Sequence, residues 1–195
     1  IPAEGNGADL VTSIARLDRN ADSALVQVLD VEQILRDVLP SATGDLVQEN
    51  NVAKAKMLPG TLILVADDSP LARSMIEKGL TQQGASFIMT KSGQEAWDRI
   101  QAMSDAAVAE GKTIKDKIAL VLTDLEMPEM DGFTLTRKLK NDHRFKSIPV
   151  VIHSSLTGEA NENHVKSSGA DAYVAKFSAE DFTETIRKVI ENNRE

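Results

Sequence analysis

The sequence predicts an α/β fold over residues 61–195, a five-stranded parallel sheet with helices on both faces. Two observations carry this expectation. Short apolar runs alternate with longer segments of helical periodicity, the order of repeated strand–helix–strand units rather than of a sandwich or a bundle. The first run, TLILVA (61–66), is apolar without interruption, as expected of a strand buried on both faces.

The elements follow one another closely. After TLILVA, Ser69 suits a helix N-cap and Pro70 the first helical position, and that helix runs to about Gln83. ASFIMT (85–90) is a second strand. SGQEAWDRI then opens a helix that continues through an alanine-rich stretch to about Ala109. GKTIKDK (111–117) is a basic loop before the third strand, IALVLT (118–123). FTLTRKLK (133–140) fits a helix and IPVVIHS (148–154) a fourth strand. GEANENHVKSSG (158–169) fits a helix ended by Gly169, DAYVA (171–175) a fifth strand, and AEDFTETIRKVIENN (179–193) a closing amphipathic helix. No internal repeat is present.

Residues 1–60 are different in kind. VTSIARL and SALVQVL read as two strands of a hairpin, separated by the turn formers DRNADS. Asp30 caps a following helix, with Gln33 completing a capping box. Val31, Ile34, Leu35, Val38 and Leu39 form one apolar face, and Pro40 ends the helix. A hairpin and one helix bury too little surface to fold alone, so residues 1–40 read as the end of a larger domain. Residues 41–60, polar and small, read as a linker. The start without Met is what a fragment would show.

Composition sets outer limits. Lys and Arg number 22 and Asp and Glu 30, a net charge of −8 shared evenly between residues 1–60 and 61–195. That balance argues against nucleic acid or an anionic membrane as main partner, since both require basic patches. The absence of cysteine excludes disulfides, thiolate metal sites and cysteine nucleophiles, and suits a reducing compartment. The first residues have neither the basic nor the apolar region of a targeting signal, and the run around Leu62 to Ala66 is far too short to span a membrane.

Chemistry in a parallel sheet collects beyond the carboxyl ends of its strands. Strand one ends in Asp67 and Asp68, strand three in Asp124, and strand four in His153, Ser154 and Ser155; Lys176 follows strand five. Three carboxylates, a hydroxyl and an ammonium therefore meet at one edge. Carboxylates so close repel unless a cation sits among them, and magnesium suits such a site because it takes few carboxylates, keeps waters and bridges to phosphate oxygens. An ionised Asp can attack phosphorus, and a lysine and a hydroxyl can hold the phosphoryl oxygens. Singly, each group has a plainer reading as a helix-dipole match, a turn former or a surface lysine; the set together points to function. His153 lies among apolar residues and reads as structural, and His143 and His164 as exposed.

Residues 61–195 resemble the response-regulator receiver domain through LVADDSP (64–70), LVLTDLEMPEMDGF (120–133), IPVVIHSS (148–155) and GADAYVAKF (169–177). The resemblance implies a flavodoxin-like fold with strand order 2-1-3-4-5. It implies phosphorylation of Asp124 by a histidine kinase, without enzymatic turnover of a separate substrate. Asp68 and Asp124 would bind magnesium through their side chains, Asp67 mostly through water, and Glu126 through its main-chain carbonyl. Lys176 and Ser154 would contact the phosphoryl oxygens. Tyr173 would be an aromatic switch; an ordinary half-buried strand tyrosine is the competing reading. Phe177 stands where a proline is usual.

Residues 1–40, through ALVQVLDVEQIL, resemble the last strand and helix of a CheW-like coupling domain. A coupling domain followed by a receiver is the arrangement of the CheV family. That implies a cytoplasmic chemotaxis adaptor at chemoreceptor arrays, in contact with receptors and a CheA-type kinase, modulating their coupling or draining phosphate. Two alternatives stay open: an aspartyl-phosphate phosphatase of the haloacid dehalogenase type, and a receiver-like binding module that is never phosphorylated. By the receiver resemblance, Leu156, two residues past Ser154, would flank the path of water attacking the acyl phosphate. Leu156→Glu is expected to speed phosphate loss, and an unchanged decay rate of the phosphoprotein would count against that role.

Overall fold

The computed structural model describes the backbone of residues 11–16 and 25–29, together with residues 57–155, 165, 167–176 and 179–193. The chain divides into two compact units, Ile1–Gln48 and Glu49–Glu195. In the first, β1 (Val11–Arg16) pairs antiparallel with β2 (Leu25–Leu29), as the hairpin reading expects, with a bulge between Val11 and Ser13. The expected helix over 30–40, most of the linker, Leu156, His164 and Phe177 lie outside the described residues, as does most of the expected helix over 158–169.

The second unit holds β3 (Leu62–Ala66), α1 (Pro70–Gln82), β4 (Phe87–Thr90), α2 (Gly93–Ala109), β5 (Ile118–Thr123), α3 (Gly132–Asn141), β6 (Val150–Ser154), β7 (Ala172–Ala175) and α4 (Ala179–Asn192). The strands form one parallel sheet in the order β4-β3-β5-β6-β7. Counted within this unit, that is the expected 2-1-3-4-5. The two faces follow from the two-residue period of the strands. Leu64, Ala66 and Val121 point into one core with Ala96 and Ile100 of α2 and Leu135 and Leu139 of α3. Ile63, Val65, Leu120 and Leu122 point into the other, with Ile76 and Leu80 of α1 and Phe182, Ile186 and Ile190 of α4. The fully buried Phe145 closes the first core, its ring 5.6 Å from Trp97 in an edge-on contact.

Side-chain caps fix where the helices start. Ser69 Oγ accepts from Ala72 N, Ser92 Oγ from Glu95 N and Asp131 Oδ1 from Thr134 N. The third helix therefore begins at Gly132, one residue before the sequence reading, because extended Asp131 supplies its N-cap. The basic loop is more ordered than expected. Residues Ile114–Asp116 form a 3-10 turn with Ile114 buried, and Glu110 pairs with Lys112 at 2.9 Å and Lys117 at 2.7 Å. Among the described residues no helix is long and apolar enough to cross a membrane.

Gly132 is required for space rather than for an unusual φ. A Cβ there would run into the main-chain carbonyl oxygen of Asp124, and Gly132 N donates to Leu125 O at 2.9 Å. Helix α3 thus starts directly against the end of β5. Gly132→Ala must push backbone from backbone, and a loss of about 2–3 kcal/mol in urea unfolding is expected; a change within about 0.5 kcal/mol, ordinary for a surface substitution, would show that the contact relaxes freely.

Candidate functional site

The parallel strands deliver Asp67, Asp124 and Lys176 to one end of the sheet from three separate parts of the chain. Lys176 Nζ donates to Asp124 Oδ2 at 2.7 Å and lies 3.0 Å from Asp67 Oδ2. The other carboxylate oxygens meet main-chain donors: Leu125 N donates to Asp124 Oδ1 at 2.7 Å and Ser69 N to Asp67 Oδ1 at 2.9 Å. Asp68, exposed, completes the acidic set; one oxygen from each of Asp67, Asp68 and Asp124 falls within 4.8 Å of the other two. Asp68 also lines an open depression of about 610 Å³ with Glu126, Met127 and Pro128. Arg73 of α1 donates from Nη1 to the Asp67 carbonyl at 2.8 Å, tying α1 to the same edge.

Ser154 is buried at the end of β6, and its carbonyl accepts from Lys176 N at 2.8 Å. The Tyr173 hydroxyl reaches the same carbonyl at 3.4 Å, a long bond, while its ring packs near Leu125, Ile152 and Val165. The expected site residues on strands one, three, four and five are thus at one edge. Glu126 is exposed on the loop beyond Asp124.

Burial dominates the electrostatics. It raises the Asp67 carboxyl, as the Asp124 charge also does; Lys176 only partly offsets this, and the pKa stands at about 6. Burial lowers the Lys176 ammonium, but the charges of Asp67 and Asp124 outweigh it and the net shift is upward. His153 is held neutral, its pKa pushed down to about 3 by burial and then by Lys176, with its ring edge-on to Phe182. His153 is buried within β6, in keeping with the apolar residues around it in the sequence, and His143 is exposed.

The donor set fits a small hard dication. Three carboxylates offer only oxygen ligands, and Asp67 Oδ2 is buried with no hydrogen-bond donor aligned on it among the described residues. The sign for folding follows from Asp67. Its pKa is raised on folding, so it favours the folded state most below pH 3.8 and that contribution fades as pH rises through about 6. The loss amounts to about 3 kcal/mol at neutral pH, and a cation should recover much of it. Magnesium is therefore expected to raise the denaturation midpoint clearly at pH 7.5 and little at pH 5. An equal increment at both would contradict this electrostatic account.

Three features escaped the sequence reading: the Asp131 cap, the close approach of Gly132 to Asp124, and a hydrogen bond from Ser92 Oγ to Glu129 Oε2 at 3.0 Å. Only the cap left a signal, an Asp before a helical pattern.

Residues 63–187 match the response regulator receiver domain family. Among curated proteins, chemotaxis protein CheV3 of Helicobacter pylori is 31% identical over 94% of this chain and 56% of its own length. Chemotaxis protein CheY1 of the same organism is 30% identical over 67% of this chain and 98% of its own. The structure of Vibrio cholerae CheY4 shares the fold, with a TM-score of 0.55 and 23% identity over 66% of this chain and 98% of that one. The chain spans about half the length of the CheV proteins it matches. On the extent of the matched segment and the geometry of its acidic edge, the chain belongs to the response regulator receiver domain family.

Proposed function

We propose that this chain is part of a CheV-type chemotaxis adaptor whose receiver is switched by phosphorylation of Asp124. The observation that carries the reading is the placement of Lys176 against Asp124, 2.7 Å away, with Asp67 and Asp68 beside them. Similarity to CheV3 extends over 94% of the chain, well beyond the receiver. This supports residues 1–40 as the end of a CheW-like coupling domain, 41–60 as a linker and 61–195 as the receiver. The partners would be a CheA-type histidine kinase and, through the coupling domain, chemoreceptors at cytoplasmic arrays. The alternatives, a phosphatase or an unphosphorylated binding module, are not favoured, because acceptor, lysine and acid pair are all in place.

The chemistry is a displacement at phosphorus. An oxygen of Asp124 attacks the phosphoryl group of a kinase phosphohistidine in line. The new O–P bond forms as the P–N bond breaks, and the electron pair stays on the imidazole nitrogen. Lys176, already hydrogen-bonded to Asp124 Oδ2, is placed to pair with a phosphoryl oxygen as negative charge arrives. Magnesium, held by Asp67, Asp68, Asp124 and the Glu126 carbonyl, would supply neutralising charge for the phosphoryl oxygens. The Ser154 hydroxyl can hold a further oxygen. Tyr173 reaches the Ser154 carbonyl, so a shift of Ser154 has a direct route to the ring that packs on Ile152 and Val165.

Incubation with magnesium and a phosphorylated CheA-type kinase should label the wild type and leave Asp124→Asn unlabelled. Equal labelling of the two proteins would sink the assignment of Asp124.

A further inference from the structure

Among the described residues, Glu129 is the one non-glycine residue with a left-handed backbone, at φ 66°. Met130 N donates to Pro128 O across it at 2.7 Å. A hydrogen bond closing three residues about a positive φ is a γ-turn of the rare, strained kind. Glutamate has no intrinsic preference for that conformation, and it persists only where the surroundings over-determine it.

Those surroundings are the start of α2. Ser92 Oγ donates to Glu129 Oε2 at 3.0 Å while accepting from Glu95 N at 3.1 Å, so one buried hydroxyl caps the helix and anchors the turn. Next to it, a Cβ on Gly93 would collide with the Met130 carbonyl oxygen, so helix start and turn are in main-chain contact. The other end of the loop is closed by Gly132 N on Leu125 O. The stretch from Leu125 to Pro128 is therefore fixed at both ends, and it borders Asp68 in the open depression.

We propose that Ser92 and Glu129 are positioning residues for the acceptor site: their hydrogen bond holds the strained turn, and the turn sets where the Glu126 main chain lies relative to Asp68 and Asp124. This rests on the reading of the acidic edge as a cation-assisted phosphoryl acceptor. Neither side chain contacts Asp124 among the described residues; both act through the loop. A merely structural pair would change stability, whereas a positioning pair changes cation affinity and phosphate uptake at unchanged stability.

Exchanging donor and acceptor separates the two. Ser92→Asp still caps α2 but offers Glu129 only acceptors. It is expected to fold, to bind magnesium about tenfold more weakly by calorimetry, and to take phosphate from acetyl phosphate more slowly. The added negative charge alone would strengthen cation binding, so the expected direction is specific. Adding Glu129→Gln restores the bond with roles reversed and should recover both properties, while Glu129→Gln alone should stay near wild type. Should Ser92→Asp fail to fold, Glu129→Gly decides: it suits the positive φ, so stability should hold while affinity falls. Wild-type affinity in Ser92→Asp or Glu129→Gly, or no rescue by Glu129→Gln, overturns the proposal. If wild-type Asp124 takes up no phosphate, the functional reading fails separately, and the magnesium series still decides the role of Ser92 and Glu129.

Discussion

One buried ammonium holds the working end of this domain together. The Lys176 side chain is 9% exposed, and the carboxylates it faces on Asp67 and Asp124 are 1% and 8% exposed. Taking such charges out of water is costly, and their attraction compensates only when each has a close partner. The lysine supplies that for two carboxylates at once, and the main-chain donors of Ser69 and Leu125 satisfy the remaining oxygens. The site still carries an uneven charge, two buried acids and an exposed third against one base. A dication would answer that imbalance, and on the proposed function an arriving phosphoryl group would bring its own charge to Lys176.

The sheet makes the pairing possible. Side chains from Asp67, Asp124 and Lys176 meet because β3, β5 and β7 run parallel and end at the same edge, with β6 between the last two. Two apolar layers hold those strands in place, one under α2 and α3, the other under α1 and α4. The site is thus mounted on the most buried part of the fold, while the half-buried Tyr173 and the exposed Asp68 and Glu126 lie at its rim.

What could be read in advance follows a physical division. Apolar runs such as TLILVA and IALVLT mark buried strands, and a parallel arrangement forces their carboxyl ends together, so Asp67, Asp68, Asp124 and Lys176 were legible before any coordinates. The end of strand four offered Ser154 on the same ground, and family resemblance singled out Tyr173. Contacts that depend on how closely two backbones approach were not legible. Gly132 against Asp124, and Gly93 against Met130, look in the sequence like ordinary helix-start glycines. The second hydrogen bond of Ser92 was hidden for a similar reason: spacing reveals its bond to Glu95, three residues on, but not one to Glu129, 37 residues away. The loop at 111–117 shows the same limit, since its basic residues were visible but not Glu110, which pairs with two of them.

The outer strands of the sheet are its shortest. β4 and β7 each have four residues, whereas the three strands between them have five or six. An edge strand offers unpaired main-chain groups to any passing strand, and brevity is one way to limit that hazard. Copies of this domain crowded against one another would therefore find little edge on which to extend a neighbour's sheet. Crowding therefore offers little purchase for a ladder of strands running from one molecule to the next.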